Sequence, residues 1–325
     1  MIICKTIYKK RFIGLVSLAL SLWLGGCNQS NSNPSVTEDK PKVVSTSTII
    51  TDWTQQVGGD EIELLGILQP GADPHVYEPV PQDSQAFEEA DLILYNGYNL
   101  EPNLIKLMNA AGVKAEKFAV GEVVSPLDFN YDNQTVPDPH VWGNVANAVT
   151  MVEAIRDRLI ELSPEDEVEF RENATQLISE LEKLHIWIGE QTATIPVNQR
   201  KLVTTHDAFQ YYAQAYQLKI IGTLIGISTE EKPSAKTVQK LVEAVKQSGV
   251  PAIFAETTIN PALITTVAQE AGVKLAANEL YADSIGAPGS DGDSYIKMMV
   301  VNTRTIVEAL GGNYSEFISA SQSKN

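Results

Sequence analysis

Ser163-Pro164-Glu165-Asp166 opens the stretch whose reading decides the fold. These residues have the form of a helix start: a serine at the N-cap, proline at the first helical position, and acids on the positive end of the helix dipole. From there to Thr194 the apolar residues Val168, Leu177, Leu181, Leu184 and Ile188 fall mainly at spacings of three and four, and Phe170–Ala174 fills the gap only weakly. About 30 residues rising 1.5 Å each predict one helix roughly 45 Å long. Such a helix is a stiff connector, and lobes packed along it move little on ligand binding.

On either side of the connector, short apolar runs alternate with amphipathic stretches. Val43–Thr48, Ile62–Leu68, Ala90–Tyr95 and Val113–Ala119 read as strands before it, and Lys201–Thr205, Leu218–Leu224, Pro251–Ala255 and Val273–Ala277 after it. Helices are expected at Ala208–Ala215, Ala235–Gln247, Pro261–Ala271 and Tyr295–Leu310. Alternation of this kind makes parallel sheets. The expected fold class is therefore α/β, with two similar lobes joined by one long helix: residues 43–162, a connector at 163–195, and residues 196–312. A frayed tail is expected at 313–325.

Before the first lobe, Lys5, Lys9, Lys10 and Arg11 precede an apolar run from Phe12 to Leu24. The run is shorter than the roughly 20 residues that span a bilayer, and it ends in Leu24-Gly25-Gly26-Cys27. Residues 1–26 thus read as a signal peptide. The small residues before Cys27 resemble a bacterial lipoprotein cleavage box, which implies a lipid on Cys27 and a polar tether over residues 27–42. The body is expected outside the cytoplasm, in the periplasm or on the outer face of the cell membrane, and to act as a monomer.

Both cysteines of the 325-residue chain, Cys4 and Cys27, lie in this targeting segment. The mature body can hold neither a disulfide nor a thiolate metal site, so any metal must be bound by histidine and carboxylate. A net charge of −17 argues against nucleic acid, which requires a basic face. It suits attraction of cations.

Three of the four histidines sit in loops after expected strands. His75 lies in Gly71–Pro79, His140 in Asp138-Pro139-His140-Val141-Trp142, and His206 directly after Lys201–Thr205. Parallel sheets bind ligands outside the carboxyl ends of their strands, and three imidazoles aimed at one crevice are hard to explain as packing. His185, inside the connector, reads as a structural residue. In the repeated Asp-Pro-His-Val, proline stiffens the backbone on which the imidazole rides. Asp73 and Asp138 either accept the second ring N–H of a ligating histidine or cap their own turns. A fourth, carboxylate ligand is expected in Glu279–Gly286, where spacing leaves Glu279 and Asp283 both open.

Gly71–Pro79, Ala90–Gly97, Thr205-His206-Asp207-Ala208-Phe209, Ile227-Ser228-Thr229-Glu230 and Glu279–Gly286 together resemble the manganese/zinc-binding solute-binding proteins of ABC importers, over nearly all of Val43–Gly311. The resemblance implies two α/β lobes bridged by a long helix, with one divalent metal ion between them, held by His75 and His140 from the first lobe and by His206 and Asp283 from the second. It places Glu256 close to the metal, behind the ligands. It also implies a membrane permease as partner and binding without catalysis.

Three imidazoles and a carboxylate suit tetrahedral zinc, and zinc outranks manganese at almost any nitrogen–oxygen site. Many manganese or iron members of the family carry Glu where this chain has His206, which favours zinc. Zinc importers of the family often carry a His-rich acidic loop, and Phe129–Pro137 has no histidine. Manganese is the favoured cargo, zinc the alternative. Two rival classes are a metallohydrolase, against which stand the fourth ligand and the lack of a His-Glu-x-x-His motif, and an adhesion lipoprotein that uses metal only for stability.

Overall fold

A computed structural model describes residues 40–112, 114–131 and 134–318. The expected signal peptide, Cys27 and nearly all of the tether lie outside these residues. Among the described residues no helix is long and apolar enough to cross a membrane.

Before the connector the chain runs β1 (Lys42–Ser45), α1 (Thr48–Gly58), β2 (Glu63–Gly66), α2 (Pro81–Glu89), β3 (Leu92–Tyr95), α3 (Pro102–Ala111) and β4 (Glu116–Ala119). The four strands form a parallel sheet in the order β2-β1-β3-β4. Val43, Val44, Leu92, Ile93 and Leu94 are buried along successive positions, as expected of central strands covered on both faces. Ser47 starts α1, its hydroxyl accepting the Ile50 N–H at 3.2 Å. An antiparallel hairpin, β5 (Asp128–Tyr131) and β6 (Gln134–Pro137), precedes α4 (Val145–Leu162). Neither hairpin strand was legible beforehand, because Asp128-Phe129-Asn130-Tyr131 is too short and polar to stand out.

The connector α5 spans Glu167–Ala193, 27 residues, or about 40 Å. Its start differs from the expected one. Ser163 ends α4, donating its backbone N–H to Leu159 O at 2.8 Å, and its hydroxyl donates to Asp166 Oδ2 at 2.6 Å. Pro164–Asp166 form a separate 3₁₀ turn, and the long helix begins after it. The buried stripe also differs. Phe170, Ala174, Leu177, Leu181, Leu184 and Ile188 are buried, whereas Val168 is 70% exposed. Steps of four, three, four, three and four keep those six on one face; Val168, two residues before Phe170, lies on the opposite side. Burial of Phe170 alone contributes about 2–3 kcal/mol.

After the connector come β7 (Lys201–Thr204), α6 (Gln210–Ala215), β8 (Lys219–Thr223), α7 (Ala235–Ser248), β9 (Ala252–Ile253), α8 (Ala262–Ala271), β10 (Lys274–Leu275) and α9 (Tyr295–Ala309). β7 pairs with β8 and β9 with β10, both in parallel. Phe254 N–H donates to Val203 O at 2.9 Å and sets β9 beside β7, giving the order β8-β7-β9-β10 and repeating the first lobe. The fold is two α/β lobes with parallel sheets and one long connecting helix. β9 and β10 are two residues each, shorter than expected, although backbone bonds continue beyond them from Ala276 N–H to Ile253 O and from Leu280 N–H to Ala255 O, each at 2.9 Å.

The start of the tail is docked, not frayed. Trp187 Nε1–H donates to Ser315 O at 3.2 Å, Gln191 Nε2–H to Ser315 Oγ at 2.8 Å, and Ser315 N–H to Gln191 Oε1 at 2.8 Å. Tyr314 and Phe317 pack edge-on to the Trp187 ring. Aromatic burial and a reciprocated amide outweigh the entropy of a loose end.

Candidate metal centre

Each of the four expected ligands stands on a loop at the carboxyl end of a strand or directly before a helix. His75 follows β2, His140 precedes α4, His206 lies two residues beyond β7, and Asp283 follows the bridge that pairs Leu280 with Glu256 beyond β9. All four are buried, with exposures of 1%, 0%, 0% and 1%. The structure thus brings together residues as far apart in the chain as His75 and Asp283, and each can turn one ligand atom into a common space in which all four lie within 4.8 Å of one another. Glu279, the other candidate, is exposed.

The rings are held from behind. His140 Nδ1 lies 2.8 Å from Asp138 Oδ1, which also accepts the His140 backbone N–H at 3.0 Å. Glu256 grips His206 in the same way, through its backbone N–H at 2.8 Å and through Nδ1. A carboxylate only accepts, so both Nδ1 atoms carry hydrogen and both Nε2 atoms point at the common space. Asp73 differs: it accepts the His75 backbone N–H at 2.9 Å, so it caps its turn. His185 is structural, its Nδ1 3.0 Å from Tyr216 Oη.

His75 Nε2 lies 3.3 Å from His140 Nε2, and His206 Nε2 lies 3.4 Å from it. Asp283 Oδ1 is 3.4 Å from His140 Nε2, while Oδ2 is 3.2 Å from His206 Nε2 and 3.8 Å from His75 Nε2. Four of these five spacings, 3.2–3.4 Å, are close to the edge of a tetrahedron whose corners lie about 2.1 Å from its centre, the length of a zinc–imidazole bond. Both buried oxygens of Asp283 lack a hydrogen-bond donor among the described residues. Orphaned acceptors facing clustered ring nitrogens are costly unless a cation stands among them.

The electrostatics agree. Burial opposes charge on His206, yet Glu256 and Asp283 outweigh it and raise its pKa well above the ordinary value. Burial likewise opposes charge on Asp283, but His206, His140 and His75 hold its carboxyl below the usual range. Burial pushes His75 down to about 3, against the pull of Asp283. The pocket demands one centre of positive charge, which a proton on His206 or a metal ion supplies. A groove of about 800 Å³, lined by Tyr98, Glu122, Ser228, Glu230 and Glu231, borders the cluster at His75. Its acids draw cations inward.

Several residues that shape the site gave no signal of their own in the sequence. Glu101 is buried and accepts from Thr46 Oγ1–H and Asn96 N–H, each at 2.7 Å, while Asn96 Nδ2–H donates to Pro139 O, next to His140, at 3.0 Å. Nothing local marks Glu101 as buried, since it follows a loop and precedes Pro102 like a surface acid.

Residues 43–309 match the family described as zinc-uptake complex component A, periplasmic. The manganese-binding lipoprotein MntA of Halalkalibacterium halodurans is 33% identical over 303 residues, covering 93% of this chain and 99% of that protein. Among solved structures, the periplasmic zinc-binding protein TroA of Treponema pallidum superposes with a TM-score of 0.79 at 31% identity, covering 83% of this chain and 99% of the other. Fe(III)-bound YtgA of Chlamydia trachomatis does so with a TM-score of 0.76 at 26% identity, covering 85% and 100%. The site geometry and these matches along nearly the whole body agree, and the chain belongs to the family of periplasmic zinc-uptake component A proteins.

Proposed function

We propose that this protein captures one divalent transition-metal ion outside the cytoplasm and hands it to the membrane permease of an ABC importer. His75, His140, His206 and Asp283 are the ligands, with Asp138 and Glu256 orienting the rings. The observation that carries this reading is the convergence of three Nε2 atoms on a buried carboxylate that, apart from those rings, has no donor among the described residues. With zinc, four protein ligands would leave no position for a catalytic water, which supports binding and release without turnover. A lipid on Cys27 keeps it at the membrane beside its permease.

Manganese is the favoured cargo. Asp283 turns both oxygens toward the ring nitrogens, offering five donor atoms where tetrahedral zinc needs four, and manganese accepts more ligands and more oxygen. The relative named above as manganese-binding supports the same choice. Zinc is the second reading, favoured by the near-tetrahedral spacings. Elemental analysis of protein recovered from its native compartment decides: about one manganese per chain is expected, zinc would move the cargo to the alternative, and protein free of any metal would overturn capture.

A further inference from the structure

Asp283 belongs to the second lobe by sequence, yet the residues beside it are fastened to the first. Up to Tyr281 the chain is held by its own lobe: Leu280 N–H donates to Ala255 O at 2.9 Å and Tyr281 N–H to Asn302 Oδ1 at 2.9 Å. One residue on, the partners change. Ala282 O accepts the indole Nε1–H of Trp142 at 3.1 Å. Ser284 Oγ accepts the Gly71 backbone N–H at 2.8 Å and lies 3.2 Å from Thr48 Oγ1, which itself accepts the Ile285 N–H at 3.1 Å. The hydroxyl hydrogens close the network without conflict: Thr48 donates to Ser284, and Ser284 to Ile285 O at 3.2 Å.

Two of these bonds also reach the first-lobe ligands. Trp142 sits two residues beyond His140 with its ring edge-on to the imidazole, centroids 5.5 Å apart, and its carbonyl accepts from Tyr295 Oη–H at 2.6 Å. Gly71 lies four residues before His75 in the same loop. Asp283 thus stands where the chain crosses the seam, bracketed on both sides by bonds to the segments that carry His75 and His140. Apart from the facing ring nitrogens, neither of its oxygens has a donor among the described residues, so its orientation depends on its neighbours.

We propose that Trp142 and Ser284 are positioning residues that hold Asp283 against the first-lobe imidazoles, so that breaking these seam bonds is the step that frees the ion. The proposal rests on the metal-capture reading above. It accounts for a buried site that must also open: a carboxylate fixed by its own lobe would require whole-lobe movement, whereas one fixed by a few hydrogen bonds across the seam needs only those to break.

The test uses full-length protein loaded with Co²⁺, with release followed by chelator competition and coordination read from the visible absorption of the ion. Trp142→Phe keeps the ring and removes only the N–H; Ser284→Ala removes only the hydroxyl. Each variant is expected to release Co²⁺ roughly tenfold faster, the effect of one ordinary hydrogen bond, with little change in association rate and with an altered Co²⁺ spectrum. Wild-type release rates and spectra in both variants, even with a lowered melting temperature, would overturn the positioning role and leave capture standing. Wild-type protein that takes up no Co²⁺, Zn²⁺ or Mn²⁺ would overturn capture itself.

Discussion

Glu256 holds His206 at two points, accepting its backbone N–H on Oε1 at 2.8 Å and its ring Nδ1–H on Oε2. One side chain thereby sets both the loop and the tautomer of a ligand. Removing the carboxylate frees the ring to rotate and to protonate the wrong nitrogen. Glu256→Ala is therefore expected to weaken manganese or zinc binding by about 10- to 100-fold while the far-ultraviolet circular dichroism stays native. Calorimetric titration measures it, and wild-type affinity would end the orienting role.

Alanine at Asp73 should behave differently from alanine at Asp138, although both aspartates open an Asp-Pro-His-Val segment. Asp138 contacts the His140 ring, whereas Asp73 accepts the His75 backbone N–H. Asp138→Ala is expected to lower metal affinity by the same 10- to 100-fold. Asp73→Ala is expected to cost about 1 kcal/mol of stability with a smaller change in affinity. Equal losses of affinity in parallel titrations would contradict this division.

Glu101 supplies a pH dependence with a definite sign. Burial raises its carboxyl from an ordinary 4.5 to about 7, against the hydrogen bonds from Thr46 and Asn96. The folded state then binds a proton that the unfolded chain has already lost. The stability this gives is complete below about pH 4.5 and is lost as pH rises through about 7. In melts of metal-free protein, Glu101→Gln should gain on the wild type as pH rises from 4.5 to 8. A constant difference across that range would show that Glu101 titrates normally.

Metal removal should be visible in thermal stability. An ion that binds only the folded state at a thousand times its dissociation constant adds about 4 kcal/mol, worth roughly 8–16 °C for a chain of this size. Dialysis against a chelator is expected to lower the melting temperature by that amount, and readdition of manganese or zinc to restore it. The His206→Ala variant should melt at the same temperature with and without metal.

The sequence by itself determined the lobe plan and the inventory of the site. Alternation of apolar runs is a local signal, and it places strands and helices because side-chain period follows backbone geometry. Two stiff Asp-Pro-His-Val turns and a histidine at a strand end were legible for the same reason. Spacing left Asp283 and Glu279 both open until the family resemblance pointed to Asp283; only the tertiary structure decided that Asp138 reaches a ring where Asp73 accepts a backbone N–H, and that Ser163 ends one helix instead of starting the next. It also buried Phe170, turned Val168 outward and docked Tyr314. Such outcomes depend on which segments meet across the seam and along the connector. Burial and long-range hydrogen bonding are set by partners distant in the chain, and no local pattern encodes them.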